Sequence, residues 1–320
     1  MTLNTEQPAA ASESAAQGMT VVARTQAQLV LRRFFRHRGA LVGMVLFLLV
    51  FLLAFTSIGF GPIPGWWDKP WTGSGTLLNR GKPTLSLWPF SLGEHPFGQD
   101  NIGKDYFALT MRGAQISIIV AITIGIVATA IGTVLGAIAG FYRGRVEAVL
   151  MRFTDVMITI PVLIIAAVVG KMAGNLGPYF MAVMLGLITW TGVARLVRGE
   201  FLSLREKEFV ESARAVGTSS KRIIFKHILP NTLGVIIVSA TLAISSGILL
   251  ETAISFLGFG VKSPDTSLGL LITDYKSAMI TRPWLFWWPG IFIILIALSV
   301  NFIGDGLRDA FDPRQNRVRD

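Results

Sequence analysis

The chain is 320 residues long and 52% hydrophobic with mean hydropathy +0.59, which excludes an ordinary water-soluble domain and points to several helical membrane crossings. It has no cysteine, which excludes disulfides, thiolate metal sites and a cysteine nucleophile. The formal net charge of +10 suits nucleic acid or membrane topology, and its distribution along the chain favours topology.

Residues 1–23 are mostly Ala, Ser, Glu, Gln and Thr and read as a disordered cytoplasmic tail. No Lys or Arg precedes Arg24, so no cleaved secretory signal is expected. Residues 24–38 interleave Arg24, Arg32, Arg33, Arg36 and Arg38 with Leu29, Leu31, Phe34 and Phe35, a basic helix suited to an anionic membrane surface. Residues 39–58 form the first apolar span, about 30 Å of helix. Residues 59–112, rich in Gly, Pro and Trp, read as an extracytoplasmic loop whose Trp66, Trp67, Trp71 and Trp88 suit the interface. Near its end, Asp100 and Asp105 beside Gly98 and Gly103 suit turn and helix caps, and His95 is read as structural rather than metal-binding.

A five-helix core is expected over 113–304, with spans near 114–141, 148–170, 178–197, 233–257 and 284–303. Gly125, Gly132, Gly136 and Gly140 on the second span predict close helix contact. Arg152 and Asp155 are spaced to pair on the third, and Pro161 predicts a break. Glu251, near the outer end of the fifth, needs a polar partner, for which Ser245, Ser246 and Thr252 are nearby. Residues 258–283 read as a second outer loop, and 305–320 as a cytoplasmic C-terminal tail.

Between the fourth and fifth spans lies a charged cytoplasmic segment, 205–231. Phe209, Ala213 and Val216 fall on one helical face, Gly217 is placed to end that helix, Ser219 to cap a second, and Pro230 to close the unit. Two short helices with a bend are expected.

With both ends on the cytoplasmic side, Lys and Arg fall there as five in the N-terminal tail, three at 143–152, eight at 195–226 and four in the C-terminal tail, against nine outside. The positive-inside rule favours this orientation. No G-x-x-x-x-G-K-[ST] stretch or catalytic constellation is present, so the chain lacks a phosphate-cradling loop of its own.

The 205–231 segment resembles the EAA loop of ABC-importer permeases: Glu211-Ser212-Ala213, Gly217 and Leu229-Pro230 stand at that family's spacing. Ser212 replaces a family Ala, and His227 a family Ile, with Ile228 beside it. His95, Pro96, Phe97, Gly98, Asp100, Gly103, Lys104 and Asp105 resemble a second motif, from the dipeptide, oligopeptide and nickel importers, and the stretch from Glu251 to Gly260 is similar to the same permeases. The long outer loop after the first span looks like their C-type subunit.

The resemblance implies an all-α, six-span membrane protein with the type I ABC importer permease fold, in the bacterial inner membrane. It implies a non-catalytic subunit forming half of a path for di- or oligopeptides or related small ligands. Glu211, Ala213, Gly217, Leu229 and Pro230 would couple to the ATPase. The implied partners are a second homologous permease, two ATP-binding subunits or one fused ATPase, an extracytoplasmic substrate-binding protein and membrane lipid, with no nucleic acid. ATP and magnesium would belong to the ATPase partners, with no cofactor or metal in this chain. The rival reading is an ion-gradient-driven secondary transporter, which would want intramembrane acids; Asp155 and Glu251 are the available ones.

Overall fold

The computed structural model describes residues 26–173 and 176–312. The expected tail at 1–23, and Arg24, Arg314, Arg317 and Arg319, lie outside the described residues.

Helix α1 (Gln26–Phe34) leads into α2 (Arg38–Ser57), which starts where the His37 ring nitrogen Nδ1 accepts the Ala40 N–H at 3.0 Å. Two small antiparallel hairpins follow, β1 (Gly59–Phe60) with β2 (Ile63–Pro64), and β3 (Ser86–Leu87) with β4 (Phe90–Ser91). Helix α3 (Tyr106–Tyr142) is 37 residues long, about 55 Å at 1.5 Å per residue. Then come α4 (Gly144–Thr159), α5 (Val162–Ala173), α6 (Pro178–Thr189), α7 (Thr191–Arg205) and α8 (Glu208–Ala215). After these come α9 (Ser220–Phe256), α10 (Leu268–Tyr275) and α11 (Trp284–Phe311).

Among the described residues four helices, α2, α3, α9 and α11, are long and apolar enough to cross a membrane singly. The pairs α4–α5, bent by 82°, and α6–α7, bent by 46°, raise the number to six if each pair is one span. Pro161 stands at the first bend, where its missing N–H and its ring interrupt the helical ladder.

The glycines of α3 explain how these helices meet. A Cβ on Gly132 would lie 2.6 Å from that of Val193, one on Gly136 2.5 Å from the Ala194 carbonyl oxygen, and one on Gly140 2.6 Å from the Phe201 Cβ. All three neighbours are on α7. Gly125 faces Ile244 of α9 in the same way, so α3 lies at the centre with α7 and α9 against it. One core cluster joins α3, α10, α11 and α2 around Tyr106, Met111, Leu285 and Phe292, and another fills the opposite end of α3 around Phe141, Phe201 and Ile228.

Three local expectations change. Asp155 pairs with Arg195 of α7 at 2.5 Å instead of Arg152, because α7 brings a guanidinium across from another helix. Ser220 begins not a separate short helix but one continuous with the fifth span. Within it Ile223–Ile228 widen to π geometry, the Leu229 N–H reaching the Ile224 carbonyl, and Pro230 is absorbed without closing the unit. The 258–283 stretch contains a helix, α10, whose N-cap Ser267 accepts the Leu270 N–H at 3.1 Å.

Candidate functional site at the 205–231 turn

Helix α8 ends in a Schellman arrangement: the Thr218 N–H bonds to the Ala213 carbonyl at 3.0 Å, and the Gly217 N–H to that of Arg214 at 2.9 Å. Gly217 makes this possible with φ +74°, a conformation that costs a residue bearing a Cβ. A Cβ there would meet no atom within 4 Å, so the demand is on the backbone and not on space. Ser219 holds the N-cap position of α9, but its side chain makes no capping bond.

The buried face of α8 differs from the one its periodicity suggests. Val210 and Ala213 point inward, onto a cluster that includes Phe141, Phe201, Ile223 and Ile228. Phe209 is 40% exposed and Val216 83%, and Phe225 on the first turns of α9 is 67% exposed. The i, i+3 pair Val210 and Ala213 fits the groove beneath, leaving Phe209 and Val216 outside. The turn therefore presents apolar side chains outward from a well-packed base.

Of the expected site residues, Glu211 is exposed on α8, Ala213 is buried, and Gly217 is at the bend. Leu229 is half-buried against the same cluster as Ala213, and Pro230 is exposed on α9. The apolar contact near His227 is made by the fully buried Ile228. Sequence reasoning missed Phe225, and it missed the arginines under the turn. Arg205 donates to the Phe141 carbonyl at the end of α3, and Arg143 pairs with Glu206. The Arg205 and Arg214 guanidiniums lie 5.7 Å and 5.8 Å from the Phe141 ring centroid. No spacing rule links residues so far apart in sequence.

At the other end of α3, Asp105 is the N-cap, accepting the Ala108 N–H at 2.8 Å. The same carboxylate receives Trp67 Nε1 at 3.1 Å and lies 2.6 Å from His95 Nδ1. Asp100 accepts the N–H groups of Ile102 at 2.9 Å and Lys104 at 2.8 Å, and the Tyr275 hydroxyl at 3.0 Å. Burial, and then the Asp100 charge and hydrogen bond, push the Tyr275 phenol far up, so it remains a donor. His95 and the two aspartates thus fasten the segment between α2 and α3 to α3 and α10. Among the described residues no group of three or more His, Asp or Glu is arranged to hold a metal.

Glu251 is fully buried on α9, with Ser117 Oγ of α3 donating at 3.1 Å and Ser255 Oγ at 2.7 Å. Ser117 Oγ also accepts the Leu268 N–H at 3.1 Å, so this carboxylate joins α3, α9 and the start of α10. The expected Ser245 bonds elsewhere, to the Ala297 carbonyl at 3.3 Å.

Residues 132–317 match the family model of the binding-protein-dependent transport system inner membrane component. The chain belongs to this family. Its fold is accordingly that of the type I importer permeases, all-α and multi-pass. Residues 25–64 of this permease match a further model, the N-terminal transmembrane domain of oligopeptide transport permease C. The permease is 37% identical over 283 residues to the oligopeptide transport system permease protein OppC of Haemophilus influenzae, covering 88% of this chain and 87% of that one. It is 36% identical over 292 residues to the protein of the same name from Mycobacterium tuberculosis, covering 91% of this chain and 96% of that one.

Proposed function

We propose that this permease is one of two related membrane subunits of an ATP-driven importer of di- and oligopeptides, and that 205–231 is where an ATP-hydrolysing partner grips it. The observation that carries the reading is the outward apolar group of Phe209, Val216 and Phe225 on a packed, arginine-braced turn. Exposed apolar side chains on a rigid base suit a groove on another protein. Glu211, exposed on the same helix, supplies a charge at the rim, and Gly217 sets the bend. Ala213 and Leu229 seat the turn, with Pro230 at the start of the span behind it.

The complex comprises a second homologous permease, two ATP-binding subunits or one fused ATPase, and an extracytoplasmic binding protein that delivers peptide to the outer loops. ATP and magnesium act in the ATPase subunits, and this chain contributes no catalytic group. Both termini and the 205–231 turn face the cytoplasm of a bacterial inner membrane, with lipid around the spans. ATP drives transport through its different affinity for the inward-open and outward-open states. The peptide class is supported by the names of the relatives.

Uptake by proteoliposomes holding the assembled complex is the test. ATP inside the cytoplasmic compartment should support peptide uptake that proton and sodium ionophores leave intact. Uptake abolished by ionophores and indifferent to ATP would make the chain a secondary transporter. The intramembrane acids favour the first outcome, since Asp155 is bonded to Arg195 and Glu251 to Ser117 and Ser255.

A further inference from the structure

The two ends of α3 are fastened very differently from its neighbours. The paired spans α4–α5 and α6–α7 are bent, and α9 carries a π stretch near its start, whereas α3 is one helix from Tyr106 to Tyr142. Its outer end is locked: Asp105 takes Trp67 and His95, the buried Tyr106 hydroxyl donates to the Leu285 carbonyl, and Arg112 bonds to Asp265 at 2.6 Å. In the last turn of its inner end is Phe141, a residue 6% exposed whose ring lies near two guanidiniums from the turn. Arg205 closes α7 and also takes the Phe141 carbonyl, while Arg214 comes from α8. Arg143, the next residue but one, pairs with Glu206.

We propose that Phe141, contacted by Arg205 and Arg214, is the joint through which movement of the 205–231 turn is delivered to α3 and carried rigidly to the outer loops. The inference rests on the proposed coupling role of that turn. Arg214 is then a positioning residue. Its guanidinium, 5.8 Å from the Phe141 ring centroid, adds a cation–π contact to the apolar contacts of Val210 and Ala213 that seat α8 on the end of α3.

This chain has no cysteine of its own, so before assembly it takes spin labels only at two introduced positions, Lys207→Cys at the start of α8 and Ile102→Cys beside the outer end of α3. The complete importer, with its ATPase and binding protein, is reconstituted in nanodiscs and compared without nucleotide and with ATP and vanadate. In the parent the two labels should keep one narrow distance distribution in both states, since turn and helix move together. Phe141→Leu and Arg214→Ala should retain the ATPase in the complex, but the distribution with ATP and vanadate should be about twofold broader or displaced. Phe141→Tyr and Arg214→Lys should restore the parent behaviour. Phe141 is buried and out of reach of any docked subunit, so its variant separates the joint from direct contact between Arg214 and the ATPase. Parent-like distributions in Phe141→Leu, with the ATPase bound, overturn the joint and leave the coupling role standing. A parent complex that purifies without any ATP-hydrolysing subunit overturns both.

Discussion

At the residue scale, Gly217 carries the bend by its conformation alone. With φ +74° and open space around it, Gly217→Val should cost about 1–3 kcal/mol locally, as a β-branched residue in the left-handed region. Gly217→Asn should cost less, because Asn tolerates that region. Membrane insertion should be normal in both, with uptake and ATPase retention falling in the order Asn then Val; wild-type uptake by the Val variant would contradict the role. Glu251 is a different kind of residue, an acceptor for serine hydroxyls in a fully buried site. Glu251→Leu should lower stability by about 1–3 kcal/mol, read as thermal unfolding in detergent, and Glu251→Gln, which keeps one carbonyl acceptor, should recover part of it. Equal melting of parent and Leu variant would show that the hydroxyls are satisfied without the carboxylate.

At the scale of elements, glycine divides into contact and non-contact positions. Gly136 lies against the Ala194 carbonyl, whereas a Cβ on Gly199 would meet nothing within 4 Å. Gly136→Leu should destabilise by about 1–3 kcal/mol through forced separation of α3 and α7. Gly199→Ala should stabilise by about 0.4–1 kcal/mol through lost freedom of the unfolded chain. Detergent melting curves check both, and equal shifts of one sign would refute the packing argument. The α3 stripe was legible because small residues at spacings of four mark one helical side whatever lies opposite. Which side of α8 is buried was not legible. Phe209, Val210, Ala213 and Val216 offer two overlapping stripes, and only the groove made by Phe141, Phe201 and Ile223 chooses between them. For the same reason Asp155 looked local to Arg152, while its partner Arg195 is 40 residues away. Pro230 misled in another way: its cost to the helix is met by a π stretch just before it, which leaves no mark in the hydrophobic pattern.

For the whole molecule, the proposed orientation puts the two ends of α3 on opposite sides of the membrane, with the basic turn inside. A membrane-impermeant maleimide should modify Ile280→Cys, at a 94% exposed outer position, in intact cells. It should reach Arg145→Cys, at the start of α4, only after permeabilisation. The reverse pattern would invert the topology and detach the 205–231 turn from any cytoplasmic ATPase. The most direct measurement is site-specific photo-crosslinking in native membranes, with a benzophenone amino acid in place of Val216. A covalent adduct with an ATP-hydrolysing subunit is expected from that position, and none with it from Trp88 on the hairpin of β3 and β4. No such adduct from Val216, or an adduct formed only with an extracytoplasmic protein, would contradict the proposed coupling role of the turn.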